Sequence, residues 1–181
     1  MTERRIIRKP SWPDDNAAIA AIDASYSSEQ IHRVEFSGLG ISINPVRVAP
    51  AFEKKVAVRD LVNEIESADK SAVIEIDKRI CAVAAIQLET WNRRAILRHF
   101  YVDKSKRRSG IGSELMDFLL WKAANRGARC LWVETQNTND PAIQFYLKNG
   151  FQFCGVDSSL YAPEGATQAE CAMYFVHELK S

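Results

Sequence analysis

The spacing of apolar positions changes partway along the chain. In the first half, short apolar runs alternate with turns: SAVIEI (71–76), Asp77-Lys78, RICAVAAIQLE (79–89), a turn at Trp91-Asn92, then AILRHFYVD (95–103). Three such runs with short connections predict an antiparallel meander. Ahead of it, ERRIIR (3–8) predicts an opening strand. Residues 14–24 predict a short helix that buries Ala17, Ile19, Ala21 and Ile22. Residues 31–49 hold Gly38, Gly40 and Pro45 and predict an irregular hairpin. Residues 53–67 predict a second helix around Val56, Val58, Leu61 and Ile65.

Past residue 110 the spacing is helical, with Ile111, Leu115, Phe118, Leu119 and Ala123 on one face and Gly127 as the stop. CLWVETQ (130–136) predicts a strand. Pro141 opens a short helix and Gly150 closes it. FQFCGVD (151–157) and ECAMYFVHEL (170–179) predict the last two strands. A meander followed by helix, strand, helix, strand, strand predicts an α+β or mixed α/β fold, with residues 1–181 forming one domain.

Charge narrows the function classes. With 24 Lys+Arg against 23 Asp+Glu the formal net charge is +1, which argues against a nucleic-acid coat or partner. No apolar run approaches the ~20 residues that cross a bilayer, and MTERRIIRKPSW lacks an apolar secretory core. A cytoplasmic protein with no membrane partner is expected. The four cysteines, Cys81, Cys130, Cys154 and Cys171, show no CxxC pair, and there are only three histidines. No metal site is expected, and the cysteines read as small buried hydrophobes.

The most informative segment is YVDKSKRRSGIGSELM (101–116). A strand ends at Val102, and the basic residues Lys104, Lys106, Arg107 and Arg108 follow. Then come Ser109-Gly110-Ile111-Gly112 and a long helix. Glycine lets the backbone approach a ligand closely, and a helix start adds free N–H donors and a positive dipole end. Together they suit a pyrophosphate; the alternative is a basic solvated loop. Gly-x-x-x-x-Gly-Lys-Ser/Thr is absent, and a dinucleotide fingerprint fails because position 115 is Leu. What remains is Gln/Arg-x-x-Gly-x-Gly/Ala, met by Arg107, Gly110 and Gly112.

About 30 residues on, Asn-x-x-Ala-x-x-x-Tyr-x-x-x-Gly-Phe is met by Asn139, Ala142, Tyr146, Gly150 and Phe151. The two motifs in this order resemble the GNAT acetyltransferase superfamily, whose members bind acetyl-CoA. The likeness extends to the streptothricin (nourseothricin) acetyltransferases. It runs through AIDASYSSEQIHRV (21–34), WNRR (91–94), LWVET with NDPAIQFY, CGVDSSLY (154–161) and ECAMY (170–174).

The resemblance implies a mixed, mostly antiparallel sheet splayed between its fourth and fifth core strands and flanked by helices. It implies an acetyl-CoA-dependent N-acetyltransferase with a small-molecule amine as acceptor. The Val102 backbone would meet the pantetheine amides. Backbone N–H groups from Arg107 through Arg108, Ser109, Gly110, Ile111 and Gly112 to Ser113 would hold the pyrophosphate. Asn139 would contact the pantetheine arm or an ordered water, and Tyr146 would be general acid. Many relatives form homodimers through late strands, and 170–179 alternates suitably. No covalent intermediate is required, which agrees with the lack of a Cys–His pairing signal.

Strand alternation puts Cys130, Trp132 and Glu134 on one face. A carboxylate mid-strand among apolar neighbours is unusual, and several related enzymes place a base there, so Glu134 is the expected general base. Water relay alone is the alternative, as is a Glu bonded to a sheet-end amide.

One departure concerns the acceptor. The streptothricin enzymes carry an acidic fourth strand close to V-E-D-I-E-V. Here the positions read Leu97-Arg98-His99-Phe100-Tyr101-Val102. Streptothricins are polycations, and arginine repels what an acidic cleft attracts. The acids left to serve a cation are Asp23, Glu35, Glu75, Glu134 and Asp157. His99 is either a replacement base or an outward-facing surface residue. Other acceptors stay open: a protein N-terminus, a lysine side chain or another amine metabolite. So does an acetyl-CoA-binding module without catalysis.

Overall fold

A β-meander whose middle strand is Ala-rich and apolar on both faces needs covering from both sides, and the chain supplies helices before and after it. The computed structural model describes residues 4–162 and 170–179. In chain order the elements are β1 (Arg5–Arg8), α1 (Asn16–Ala20), β2 (Tyr26–Ser37), β3 (Gly40–Lys54), a 3-10 turn (Val58–Leu61) and α2 (Val62–Ser67). There follow β4 (Lys70–Ile76), β5 (Arg79–Glu89), β6 (Arg94–Val102), a 3-10 turn (Lys104–Lys106) and α3 (Ile111–Ala124). The chain closes with β7 (Cys130–Gln136), α4 (Asp140–Lys148), β8 (Gln152–Asp157) and β9 (Ala172–Glu178). A mixed seven-stranded sheet has the order β1-β4-β5-β6-β7-β9-β8, and β2 with β3 forms a separate two-stranded sheet. Among the described residues no helix is long and apolar enough to cross a membrane.

Two compact units divide the chain inside β7, after Trp132. The first holds the chain up to Ser25, Lys55–Trp132 and the C-terminal residues from Glu178. Its β1, β4, β5 and β6 are antiparallel neighbours. The β4–β5 turn uses Asp77 and Lys78 at φ 48 and 68, the paired left-handed conformation of a two-residue hairpin. Ile80 through Ile86 on β5 are all buried. Val73, Val83 and Ala85 join Ile19 and Ile22 around α1 and Val58, Val62 and Ile65 around α2. Ile111, Leu115, Met116, Leu119 and Ala123 form the buried stripe of α3.

Both early helices are shorter than the pattern predicts. Asp15 stands at the α1 N-cap without capping it, because its carboxylate is held by Arg8 at 2.6 and 3.0 Å and by the Ser11 N–H at 2.7 Å. Arg8 also holds Glu75, at 2.9 Å, and this pairing keeps Asp15 below the ordinary carboxylate range. α2 starts only at Val62, since β3 continues to Lys54 and the β-branched residues at 56 and 58 resist helix.

The second unit is Tyr26–Lys54 with Val133–His177. Its hairpin is longer and more regular than expected, pairing from Tyr26↔Lys54 to Ser37↔Gly40 with one irregularity at Ser28/Gln30. It is fastened to the start of α4. His32 Nε2 lies 2.8 Å from Asp140 Oδ1, and Asn137 exchanges backbone and side-chain bonds with His32 at 2.8 and 2.9 Å. β8 and β9 are antiparallel, and Tyr146, Phe151 and Phe175 bring their rings together beneath α4.

Candidate active site

In the first unit, chain ends and charged side chains shape the glycine turn. Asp103, buried just after β6, accepts from the Ser105 N–H at 3.0 Å, the Ser105 hydroxyl and the Asp23 N–H at 3.2 Å. Arg107 turns inward: Nε donates to the Val102 carbonyl at 3.1 Å and Nη1 to the Ser25 carbonyl at 2.7 Å. Burial pulls its proton affinity down, while Asp23 and Asp103 support the charge. Its side chain therefore builds the loop and is committed to the two carbonyls.

Arg108 has φ 63, and the Ser109 hydroxyl donates to the Lys106 carbonyl at 2.6 Å. Gly110, at φ 89, is the N-cap of α3, and no side chain caps that helix. Glu114 N–H to the Gly110 carbonyl, 3.0 Å, is the first helical bond recorded there. The N–H groups of Ile111, Gly112 and Ser113 belong to a first turn that has no carbonyl behind it. Ile111 anchors the turn in the core, while Arg108, Ser109 and Gly110 are exposed. This donor set fits a coenzyme pyrophosphate.

Open space surrounds the position a Gly110 Cβ would take, so strain alone decides a substitution there. A left-handed conformation costs an L-residue about 1–2 kcal/mol. Gly110→Val is expected to raise KM for acetyl-CoA about tenfold, read by initial rates and by calorimetric binding. An unchanged KM would show that the turn does not hold the coenzyme.

The second unit carries the titratable groups. On β7 residues 131, 133 and 135 are buried and Trp132, Glu134 and Gln136 are half-buried, the alternation expected. Glu134 accepts a hydrogen bond from the Tyr161 phenol. Burial raises its proton affinity above the ordinary carboxylate value, opposed by Tyr161 and Lys54 and assisted by Glu170. Lys54 Nζ reaches Glu170 at 3.0 and 3.2 Å, and the Thr138 hydroxyl donates to the same carboxylate at 3.0 Å.

Asn139 is the α4 N-cap, its Oδ1 accepting from the Ala142 N–H at 3.2 Å. The motif asparagine thus has a helix-capping duty of its own. Tyr146 is 6% exposed, wedged among Phe145, Phe151 and Phe175.

The other candidates sort by partner. Glu75 is committed to Arg8. Asp23 and Asp157 accept from nearby serines, and Glu35 is exposed on β2. Arg98 is exposed, but His99 is not an outward-facing residue. It is buried, with Nε2 at 3.5 Å from Glu64, and burial lowers its proton affinity. Cys81, Cys130 and Cys171 are buried, and burial raises their thiol pKa values. Cys154 departs from the expectation and is exposed.

Lys54, Thr138, Tyr161 and Glu170 were not singled out by sequence as site residues. The one available signal was position: Tyr161 ends CGVDSSLY and Glu170 opens ECAMY, both segments of resemblance.

The acetyltransferase (GNAT) family matches residues 29–151. Streptothricin acetyltransferase of Streptomyces lavendulae is 32% identical over 169 residues, covering 90% of this chain and 89% of that protein. The Escherichia coli streptothricin acetyltransferase is 27% identical over 164 residues, covering 90% and 91%. A nourseothricin acetyltransferase crystal structure superposes with TM-score 0.86 at 30% identity, covering 97% of this chain and 99% of its own. A Bacillus anthracis protein assigned as a streptothricin acetyltransferase, solved with acetyl coenzyme A, gives TM-score 0.81 at 24% identity over 98% of both. The chain belongs to the GNAT acetyltransferase family and is an N-acetyltransferase that takes acetyl-CoA as its co-substrate.

Proposed function

We propose that this enzyme acetylates a primary amine of a small cationic acceptor of streptothricin type, with Glu134 as general base and Tyr146 as general acid. The observation that carries the reading is the half-buried Glu134 carboxylate, whose proton affinity is raised toward the working range of a base. The streptothricin and nourseothricin relatives supply the acceptor class.

Acetyl-CoA supplies an activated acetyl thioester. Glu134 takes a proton from the acceptor ammonium, freeing the nitrogen lone pair. The N–C bond forms, the C–S bond breaks, and Tyr146 gives its proton to the departing sulfur, while the second proton that the nitrogen loses on becoming an amide passes through water to the Tyr146 phenolate. The backbone from Arg107 through Arg108, Ser109, Gly110, Ile111 and Gly112 to Ser113 holds the pyrophosphate. Val102 and Asn139 serve the pantetheine arm.

Thiol release from acetyl-CoA is the direct test, with streptothricin, free lysine, aminoglycosides and N-terminal peptides as acceptors. Turnover of streptothricin is expected. Strong turnover confined to a peptide sinks the antibiotic reading, and binding without any turnover sinks the catalytic one. Arg98→Glu should lower KM for a polycation several-fold at low salt, because one repulsive charge becomes attractive. A KM independent of this change would place Arg98 outside the acceptor's field.

A further inference from the structure

Tyr161 follows β8 and belongs to the same compact unit as Glu134. Its phenol donates to Glu134 Oε1, and Lys54 Nζ lies 6.0 Å from its ring centroid. The other titratable groups acting on this pair are Lys54 at the end of β3, Glu170 ahead of β9, Tyr174 on β9 and Tyr26 on β2. Lys54 favours the charged form of Glu134 and Glu170 disfavours it. Because Lys54 and Glu170 are bound to each other, their opposing fields partly cancel at Glu134. The Tyr161 hydrogen bond is therefore the main local support for the carboxylate charge. Burial and the neighbouring carboxylate hold the phenol well above the ordinary tyrosine range, so Tyr161 stays protonated as a donor.

We propose that Tyr161 is a positioning residue: its phenol fixes the Glu134 carboxylate through Oε1, so that Oε2 receives the proton from the acceptor ammonium. The proposal rests on Glu134 being the base. No bond to Tyr161 breaks in the step; the proton passes from nitrogen to Oε2, and the nitrogen keeps the electron pair that attacks. The same hydrogen bond keeps a half-buried carboxylate ionised, since it is made to the charged form.

Tyr161→Phe keeps the ring and removes the hydroxyl. The acid limb of the kcat/KM–pH profile should move up by about one pH unit. On the acid side of both limbs activity should then fall about tenfold, and the deficit should shrink toward pH 9 to what the lost orientation of Oε2 alone costs, with KM for acetyl-CoA unchanged. A carbon-13 NMR titration of the glutamate carboxylates, with the Glu134 signal identified by its loss in Glu134→Gln, should show the same upward movement. If titration and acid limb both match the wild type, the positioning role is overturned and the base reading stands. If the Glu134 titration moves and the acid limb does not follow, the base reading falls. It falls as well if Glu134→Gln retains the wild-type limb. In either case the positioning role falls with it.

Discussion

Glu134→Gln is expected to lower kcat at pH 7 by about 10² to 10⁴ if Glu134 is the base proposed, the range by which a positioned general base accelerates proton transfer. The substitution keeps shape and retains an acceptor oxygen for the Tyr161 phenol, so the fold and the acetyl-CoA affinity should be unchanged. The acceptor explains the size of the effect. An alkyl ammonium has an ordinary pKa near ~10.4, so at pH 7 only about one molecule in 10³ carries a free lone pair. A variant without the base has to draw on that fraction, and its deficit should narrow as pH rises toward 10.

The wild-type enzyme should show an acid limb above the ordinary carboxylate value of ~4.3, because burial raises the proton affinity of Glu134 and only the charged form is a base. Activity therefore rises with pH through the raised value. Initial rates between pH 5 and 10 for the two enzymes check this. A Glu134→Gln enzyme with wild-type kcat at pH 7 would leave water relay as the route for the proton.

The meander was legible because two signals agree: short apolar runs along β4–β6 separated by turns, and a charged Asp77-Lys78 pair that takes positive φ. α1 contracted because Asp15, a good N-cap by type, makes a stronger charged contact with Arg8 than a cap would give. The β2–β3 hairpin was under-read because most of its residues are exposed, so little alternation marks it.

The site divides on the same grounds. The half-burial of Glu134 could be read because a carboxylate among Trp132, Val133 and Leu131 is costly without a purpose. Lys54, Tyr161 and Glu170 could not be, since each alone is an ordinary surface residue type. Only folding brings the end of β3, the segment after β8 and the start of β9 onto one carboxylate pair. His99 shows the converse: its chemistry suggested a base, and tertiary pairing with Glu64 decided its place.

The second large effect is expected at Tyr146, where packing and chemistry separate cleanly. Its ring centroid lies 5.6 Å from Phe145, 5.5 Å from Phe151 and 6.2 Å from Phe175. Tyr146→Phe retains every one of those ring contacts, so its melting temperature should stay much closer to wild type than that of the alanine variant. Tyr146→Ala empties the cluster and should cost about 3–5 kcal/mol of stability. The hydroxyl's contribution to chemistry is then read from the Phe variant alone. A thiol of pKa near ~8.5 leaves fairly well as the bare thiolate, so the acid is needed less than the base. The fall in kcat for Tyr146→Phe should accordingly lie at the lower end of general-acid effects, about 10²-fold. Thiol release and thermal denaturation on the two variants decide between the roles. A Phe variant with wild-type kcat, beside an Ala variant that melts early, would make Tyr146 a packing residue of α4 and leave sulfur protonation to solvent.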